Sequence, residues 1–134
     1  MDGDDATEAM LALHEGPTPV ALVVDDEPLV RQLVATVLRR RGWSVFEAED
    51  GSIALSVAPV NLDLLVTDYE MPSVTGMVLA RKLRQRDEDL PVLVVSGHPE
   101  VARKMRSIRG PRTAFVRKPF PLEELVSSIG SITD

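Results

Sequence analysis

The sequence VALVVDDE at residues 20–27 joins five apolar residues directly to three acidic ones. A short apolar run that is rich in valine is typical of a strand buried on both faces, as in a parallel sheet. Pro28 and apolar residues at helical spacing follow this strand as far as Gly42, which predicts a helix over 28–41. A buried strand that leads through an acidic turn into a helix is typical of α/β proteins.

The same alternation of strand and helix continues along the rest of the chain. Apolar runs predict further strands at 45–48, 62–67, 92–95 and 113–116, and helix-forming segments predict helices at 52–58, 79–86, 101–108 and 122–129. Five strands alternating with five helices predict right-handed crossovers and one parallel sheet covered on both faces. Ligands bind at the carboxyl ends of the strands in such sheets, so the residues there should carry the chemistry.

The composition fits one globular domain and excludes several classes of function. A chain of 134 residues leaves little room for two separate cores, and its lack of cysteine excludes disulfides, cysteine zinc sites and thiol catalysis. The net charge of −6, from 15 basic and 21 acidic residues, disfavours binding to nucleic acid. No apolar stretch is long enough to span a membrane, and the acidic start is unlike a signal peptide. We therefore expect a cytoplasmic protein without membrane contact.

The acidic residues are concentrated at the N-terminus. Residues 1–15 contain five acidic residues and no lysine or arginine, and the Gly-Pro-Thr-Pro break at 16–19 follows them. We therefore predict an acidic leader and linker over 1–18 and one domain over 19–134. Within the leader, Asp5 and Glu8 have the spacing of a capping box before strong helix formers, so a short helix and a disordered tail are both open.

Residues able to bind metal and phosphate end four of the predicted strands. Several adjacent carboxylates repel one another, and Mg²⁺, which prefers oxygen ligands, relieves that repulsion. A carboxylate such as Asp68 can act as a nucleophile and form an aspartyl phosphate. Lys118 would neutralise one phosphoryl oxygen, and Ser96 would donate a hydrogen bond to another. In chain order the residues are Asp25, Asp26, Glu27, Asp68, Ser96 and Lys118, and parallel strands bring them to one edge of the sheet.

Four short motifs lie at these strand ends. They are VVDDE at 23–27, DYEMP at 68–72 followed by Gly76, VSG at 95–97 and FVRKPF at 115–120. In the order and spacing of these motifs, the chain resembles the response regulator receiver domains of two-component signalling over about residues 19–131. The resemblance implies a flavodoxin-like, doubly wound sheet of five parallel strands in the order 2-1-3-4-5, with five helices.

The resemblance implies a role for each residue of the acidic cluster. Asp68 is then the phosphoacceptor, and its donor is a histidine kinase or a histidine phosphotransfer protein. Asp26 and Asp68 bind Mg²⁺, or Mn²⁺ in its place, directly, and Asp25 does so largely through water. The backbone carbonyl of Glu70 is a further ligand. Such a domain assists its own phosphorylation and dephosphorylation, but it is a signalling protein rather than an enzyme.

The resemblance also implies which residues respond to phosphorylation. Lys118 pairs with the phosphoryl group, and Ser96 is the switch hydroxyl that moves to bond it. Phe115 is the aromatic ring that changes rotamer, and a plain core residue is the alternative interpretation. Glu70 and His98 tune the lifetime of the phosphorylated state, and for His98 an exposed loop residue without a role is the alternative.

The predicted fourth helix and its flanks are basic. A solvated helix face is one interpretation of these residues. The resemblance implies another, in which this helix, the fifth strand and the last helix form the partner surface that phosphorylation switches. We expect a monomer or a phosphorylation-dependent dimer, either as a stand-alone receiver or as the receiver of a hybrid histidine kinase. The basic residues are Arg103, Lys104, Arg106, Arg109 and Arg112.

Three other functions share parts of this pattern. A haloacid-dehalogenase-type phosphatase also uses a nucleophilic aspartate with Mg²⁺, but it requires Asp-x-Asp at the first strand end, where this chain has Glu27. A flavin-binding module needs a hydroxyl- and glycine-rich loop for phosphate, and acidic residues stand at that place here. A receiver-like scaffold that is never phosphorylated would not need the intact set of acidic residues.

Overall fold

A single sheet of parallel strands lies at the centre of the computed structural model, which describes residues 17–105 and 112–133. The strands are β1 Val20–Val24, β2 Ser44–Ala48, β3 Leu64–Asp68, β4 Val92–Ser96 and β5 Thr113–Arg117. Their order in the sheet is β2-β1-β3-β4-β5, which confirms the predicted flavodoxin-like arrangement. All the pairings are parallel, so the carboxyl ends of the strands lie at one edge.

Helices follow the strands and cover the sheet. Within the described residues they are α1 Pro28–Arg40, α2 Gly51–Val57, α3 Gly76–Arg84, α4 Val101–Lys104 and α5 Leu122–Thr133. A proline in the first turn begins α1, where its missing N–H costs no hydrogen bond. The side chain of Asp50 caps α2 and that of Thr75 caps α3, each accepting a hydrogen bond from an amide of the first turn.

Two hydrophobic cores lie on opposite faces of the sheet, because successive residues of a strand point to opposite faces. Leu22 and Val24 pack with residues of α2, α3 and α4, whereas Ala21 and Val23 pack with residues of α1 and α5. Every residue of β1, β3 and β4 is buried. Burial on both faces accounts for the uninterrupted apolar runs that these strands show in the sequence.

Several element boundaries differ from the predicted ones, most of them by one residue. Helix α3 begins at Gly76 rather than at residue 79, because the Thr75 cap lies further upstream. Strand β3 begins at Leu64 rather than at residue 62, after Asp63 has bonded to Val20 through both its amide and its carboxylate. Helix α5 continues beyond residue 129 because Ile132 adds another buried contact to its apolar face.

Two predicted features lie wholly or partly outside the described residues. The helix predicted within the acidic leader falls on residues 1–16, and the division of the chain after residue 18 stays a prediction. Of the basic helix predicted over 101–108, the structure describes Val101–Lys104 as helical. Along the described part of the chain, no helix is both long and apolar enough to cross a membrane.

Candidate functional site

The carboxyl ends of β1, β3 and β5 bring two aspartates and a lysine together. Lys118 Nζ lies 2.9 Å from Asp25 Oδ2 and 3.4 Å from Asp68 Oδ2. Glu27 adds a third carboxylate, 3.5 Å from the same nitrogen. The lysine is anchored because its amide donates a 2.8 Å hydrogen bond to the carbonyl of Ser96 in the neighbouring strand. The strand ends therefore converge on one charged cluster.

Four carboxylates at this edge have the spacing of a cation site. Oxygens of Asp25, Asp26, Glu27 and Asp68 all lie within 4.8 Å of one another. Asp25 and Asp68 are buried, whereas Asp26 and Glu27 are exposed. The three aspartates predicted to bind Mg²⁺ are thus adjacent. Glu27 was not among the predicted ligands, although its place in the DDE motif at 25–27 already put it beside them.

Burial makes the two inner aspartates harder to ionise. The pKa of Asp68 is raised to about 6, because desolvation by burial and the charge of Asp25 together outweigh the lowering effect of the Lys118 charge. Desolvation also raises the pKa of Asp25, although hydrogen bonds from Lys118 and from the amide of Glu27 lower it. A cation among these carboxylates favours their ionised forms, so their burial and mutual repulsion favour cation binding.

The acidic surroundings keep Lys118 protonated. Burial lowers the pKa of its ammonium group, but the hydrogen bond to Asp25 and the charges of the three carboxylates outweigh burial, and the net pKa is raised. The side chain is also well enclosed, with 13% of its surface exposed. At neutral pH it is a fixed positive charge beside Asp68, of the kind that neutralises a phosphoryl oxygen.

Ser96 and Phe115 lie on the same face of the sheet. The hydroxyl of Ser96 is buried, and its oxygen accepts a 3.1 Å hydrogen bond from the amide of His98. Phe115 packs against the core that contains Val94, its register partner on β4. Val94 and Ser96 are two residues apart on one strand and point to the same side. The predicted switch hydroxyl and the predicted switch ring are therefore close neighbours on adjacent strands.

Glu70 and His98 link the loops that follow β3 and β4. His98 Nε2 lies 2.9 Å from Glu70 Oε2, and His98 Nδ1 lies 3.7 Å from Glu100 Oε1. All three side chains are exposed. The amide of Glu70 also donates a 3.4 Å hydrogen bond to Asp68 Oδ1, which connects this group to the buried cluster. Glu100 lies outside the four strand-end motifs, so no sequence pattern pointed to it.

Gly76 lets the loop after β3 fold back onto the strand. Its amide donates a 2.8 Å hydrogen bond to the carbonyl of Tyr69. A Cβ at this position would overlap the backbone carbonyl oxygen of Asp68. Only glycine, which has no Cβ, allows this close approach. Gly76, which follows the DYEMP motif, therefore helps to shape the backbone at Asp68.

A groove of about 560 Å³ opens beside the acidic cluster. Asp68 and Lys118 lie at its charged end, and Val30, Leu33 and Phe120 supply apolar surface next to them. Leu29, on the same helix as Leu33, is 81% exposed. Exposed apolar surface of this kind marks a candidate site for binding another protein, and these residues of α1 form an apolar rim beside the charged end of the groove.

The strand order, and the acidic edge that faces a lysine, define this protein as a flavodoxin-like α/β domain of the receiver class. Residues 21–130 match the response regulator receiver domain. The chain therefore belongs to the response regulator receiver domain family and is a signalling domain of two-component systems. This confirms the family that the strand-end motifs indicated and disfavours the phosphatase, flavin-binding and scaffold alternatives.

Several known proteins are similar to the chain. It is 34% identical over 113 residues to the probable transcriptional regulatory protein TcrX of Mycobacterium tuberculosis, covering 84% of this chain and 48% of that protein. The receiver domain from hybrid histidine kinase CckA is 32% identical with a TM-score of 0.71, covering 86% of this chain and 99% of that one. A response regulator receiver protein from Sinorhizobium medicae WSM419 is 26% identical with a TM-score of 0.76, covering 87% and 94%. The chain spans half or less of the length of the curated relatives it matches.

Proposed function

We propose that Asp68 accepts a phosphoryl group from a histidine kinase or a histidine phosphotransfer protein. The observation that carries this proposal is the position of Asp68, buried at the centre of the sheet edge with Lys118 Nζ 3.4 Å from its Oδ2. An oxygen of the ionised carboxylate attacks phosphorus, and the P–N bond of phosphohistidine breaks. The electron pair of that bond stays on the imidazole nitrogen, which takes a proton from solvent, and Asp68 becomes an aspartyl phosphate.

The residues that would hold Mg²⁺, or Mn²⁺ in its place, are Asp25, Asp26 and Asp68 with the backbone carbonyl of Glu70. Mg²⁺ binds oxygen at about 2.0–2.1 Å, which places its ligands about 3–4 Å from one another. Carboxylate oxygens that lie within 4.8 Å of one another need only small adjustments to reach that spacing. When bound, Mg²⁺ neutralises charge on the phosphoryl oxygens. The exposed carboxylate of Glu27 adds to the negative potential that attracts a cation.

Phosphorylation changes the partners of Ser96 and Lys118. The Ser96 hydroxyl donates a hydrogen bond to one phosphoryl oxygen, and Lys118 pairs with another. Phe115 lies on the same face as Ser96 and responds to its movement by a change of rotamer. This movement biases the equilibrium of the surface formed by α4, β5 and α5. A downstream partner, or a second copy of the domain, binds that surface, where Arg103 and Lys104 are exposed.

Beryllofluoride with Mg²⁺ tests the phosphoacceptor role. We expect saturable binding and amide NMR shifts that extend from Asp68 to Phe115 in the wild-type protein. Asp68→Asn should show no binding, and Ser96→Ala should bind beryllofluoride without the shifts at Phe115. Equal shifts in wild type and Asp68→Asn would contradict the proposal. Multiple turnovers on phosphate esters would instead support a phosphatase.

The apolar rim on α1 is the proposed docking surface for the phosphodonor protein. Leu29 is 81% exposed, and Leu33 is 42% exposed beside the groove that leads to Asp68. Leu29→Gln should slow phosphotransfer from a donor protein about tenfold, the effect of losing about 1.4 kcal/mol of contact energy. Phosphorylation by acetyl phosphate should be unchanged, because that donor is too small to use the rim.

The matched control for this experiment is Val60→Gln. Val60 is also apolar and is 99% exposed, but it lies in the loop that leads into the amino end of β3, at the edge of the sheet opposite to Asp68. This variant should leave both reactions unchanged. If Leu29→Gln slows acetyl phosphate and the donor protein equally, the rim acts on the site itself and the docking proposal is wrong.

A further inference from the structure

A second groove lies at the amino ends of the strands, at the edge of the sheet opposite to Asp68. Its volume is about 770 Å³, and it runs between the end of α1, the start of β5 and α5. Three arginines line it: Arg40 and Arg41 at the end of α1, and Arg112 just before β5. Trp43 lines it as well and packs against the core between α1 and α5.

The three arginines lack ion-pair partners within residues 17–105 and 112–133. Their neighbour Arg39, by contrast, lies 3.2 Å from Glu47. A cation in the last turn of α1 is favoured by the helix dipole, which accounts for Arg40. The dipole does not account for Arg112, which reaches the same groove from a distant part of the chain. The convergence of these side chains leaves a concentration of positive charge.

Two acidic side chains also line the groove, but backbone amides already engage both. Asp63 accepts a 2.8 Å hydrogen bond from the amide of Val20. Asp87 accepts a 3.1 Å hydrogen bond from the amide of Asp89. Each hydrogen bond leaves the charge of its carboxylate in place, so this lining carries three positive and two negative charges. The net charge of the lining is therefore positive, and none of its arginines is ion-paired to a residue within 17–105 or 112–133.

An acidic segment of the sequence directly precedes the first residues of this groove. Residues 1–15 contain five acidic residues and no lysine or arginine, together with Met10, Leu11 and Leu13. The segment leads through Gly16 into Pro17, which itself lines the groove. At about 3.3–3.6 Å per extended residue, such a segment is long enough to reach every part of the groove. Its charge and its apolar residues match the arginines and the tryptophan.

We propose that residues 1–15 dock in the groove, with their carboxylates facing Arg40, Arg41 and Arg112. Exposed ion pairs are individually weak, but the segment is attached to the groove through Gly16 and Pro17, which gives it an effective concentration of about millimolar. The docked segment connects the end of α1 to α5. Because exposed ion pairs are screened by salt, docking weakens as ionic strength rises. This inference does not depend on phosphorylation of Asp68.

Trp43 is the single tryptophan of the chain and reports directly on the groove. In the full chain at 20 mM NaCl, the docked segment should shield Trp43 from acrylamide, and 500 mM NaCl should raise the quenching constant about twofold. Neutralising the segment should give the high-salt value at both salt concentrations. That variant combines Asp2→Asn, Asp4→Asn, Asp5→Asn, Glu8→Gln and Glu15→Gln.

Two further variants complete the test. Arg40→Gln combined with Arg41→Gln should abolish the salt response in the same way, because it removes the other half of the ion pairs. The control combines Glu49→Gln with Glu88→Gln, two exposed acidic residues that do not line the groove, and should behave as wild type. Circular dichroism confirms that each variant is folded.

Two results would overturn the proposal. One is a salt response of equal size in the wild type and in the neutralised variant. The other is a salt response of Trp43 quenching that disappears on dilution from 50 to 1 µM, while sedimentation shows that a dimer is lost. The groove would then be filled by the segment of a second copy. A wild-type response that is independent of protein concentration, and absent from both groove and segment variants, supports docking within one chain.

Discussion

Lys118 Nζ lies closer to Asp25 Oδ2, at 2.9 Å, than to Asp68 Oδ2, at 3.4 Å. The lysine therefore neutralises one of the carboxylates that we propose as a metal ligand, as well as approaching the proposed phosphoacceptor. A divalent cation and the lysine compete for the same negative charge at Asp25. Phosphorylation then offers the lysine a more highly charged partner on Asp68.

This competition predicts opposite effects of Lys118→Met on metal binding and on phosphorylation. Removing a positive charge from the cluster strengthens the attraction of the carboxylates for Mg²⁺, so the Kd for Mg²⁺ should fall several-fold. Phosphorylation by acetyl phosphate should slow at least tenfold, because one phosphoryl oxygen loses its counter-charge. Calorimetry and a phosphorylation assay measure the two effects.

Arg117→Met is the control for Lys118→Met, because it removes an exposed charge from the preceding residue. It should change neither quantity by more than about twofold, since exposed charges interact weakly at a distance. Weaker Mg²⁺ binding in Lys118→Met would show that the lysine organises the carboxylates rather than competing with the ion.

The stability of the protein should decrease as pH rises through the range in which Asp68 ionises. Burial raises the pKa of this carboxyl from its ordinary value of 3.8 to about 6. Between these values the folded protein keeps a proton that the unfolded chain has released, so the free energy of unfolding falls with increasing pH. Asp68→Asn should therefore be more stable than wild type at pH 7.5 and should lose this advantage toward pH 4.

Thermal unfolding in the presence of EDTA measures this dependence without a contribution from bound metal. Asp89→Asn, at an exposed loop position, is the control and should follow the wild-type pH profile. An Asp68→Asn profile that stays parallel to wild type from pH 4 to 7.5 would show that burial of the carboxyl has no energetic consequence.

The convergence of the strand-end residues was predictable from the sequence because parallel-sheet geometry is simple. Asp25, Asp68 and Lys118 each end a strand, and parallel strands place their carboxyl ends at one edge, whatever the details of packing. The strand order needed more than periodicity. Apolar runs identify strands but not their neighbours, so the order came from the resemblance of the strand-end motifs.

Features that depend on side-chain conformation or on distant segments could not be predicted. The preference of Lys118 for Asp25 over Asp68 depends on a difference of half an ångström between two contacts. The pair of Glu70 and His98 forms across two loops, and periodicity does not describe loop conformations. The arginine groove brings together the end of α1 and the residue before β5, which no local pattern connects.

The contact between Glu70 and His98 predicts that these residues act as a pair on the lifetime of the phosphorylated protein. The side chains lie 2.9 Å apart, and Glu70 is only two residues beyond Asp68, the last residue of β3. We expect Glu70→Gln and His98→Gln each to change the dephosphorylation rate a few-fold, and the double variant to resemble the single ones. Contacting residues are non-additive in this way because removing either partner already breaks the contact.

Decay of the phosphorylated protein after removal of the donor measures these rates. Glu100→Gln is a useful comparison, because Glu100 lies further from His98, at 3.7 Å, and contacts its other ring nitrogen. It should change the rate less than Glu70→Gln does. Strictly additive effects of Glu70→Gln and His98→Gln would show that each residue acts alone.

The close approach of Gly76 to Asp68 predicts that Gly76→Ala damages both stability and the site. A methyl group would overlap the carbonyl oxygen of Asp68, so the strand end or the loop must shift. Overpacking of this kind costs about 1–3 kcal/mol. Because the shift occurs at the backbone of the proposed phosphoacceptor, Mg²⁺ affinity and phosphorylation rate should also fall.

Gly130 provides the opposite case within the same protein. It lies inside α5, and a Cβ there would meet no atom within 4 Å. Gly130→Ala should therefore stabilise the protein by about 0.5–1 kcal/mol, because alanine loses less conformational freedom in a helix. Phosphorylation should be unchanged. Chemical denaturation of both variants measures the change in stability, and Mg²⁺ titration measures the change at the site. A Gly76→Ala protein with wild-type Mg²⁺ affinity would show that the loop, rather than Asp68, moves to admit the methyl group.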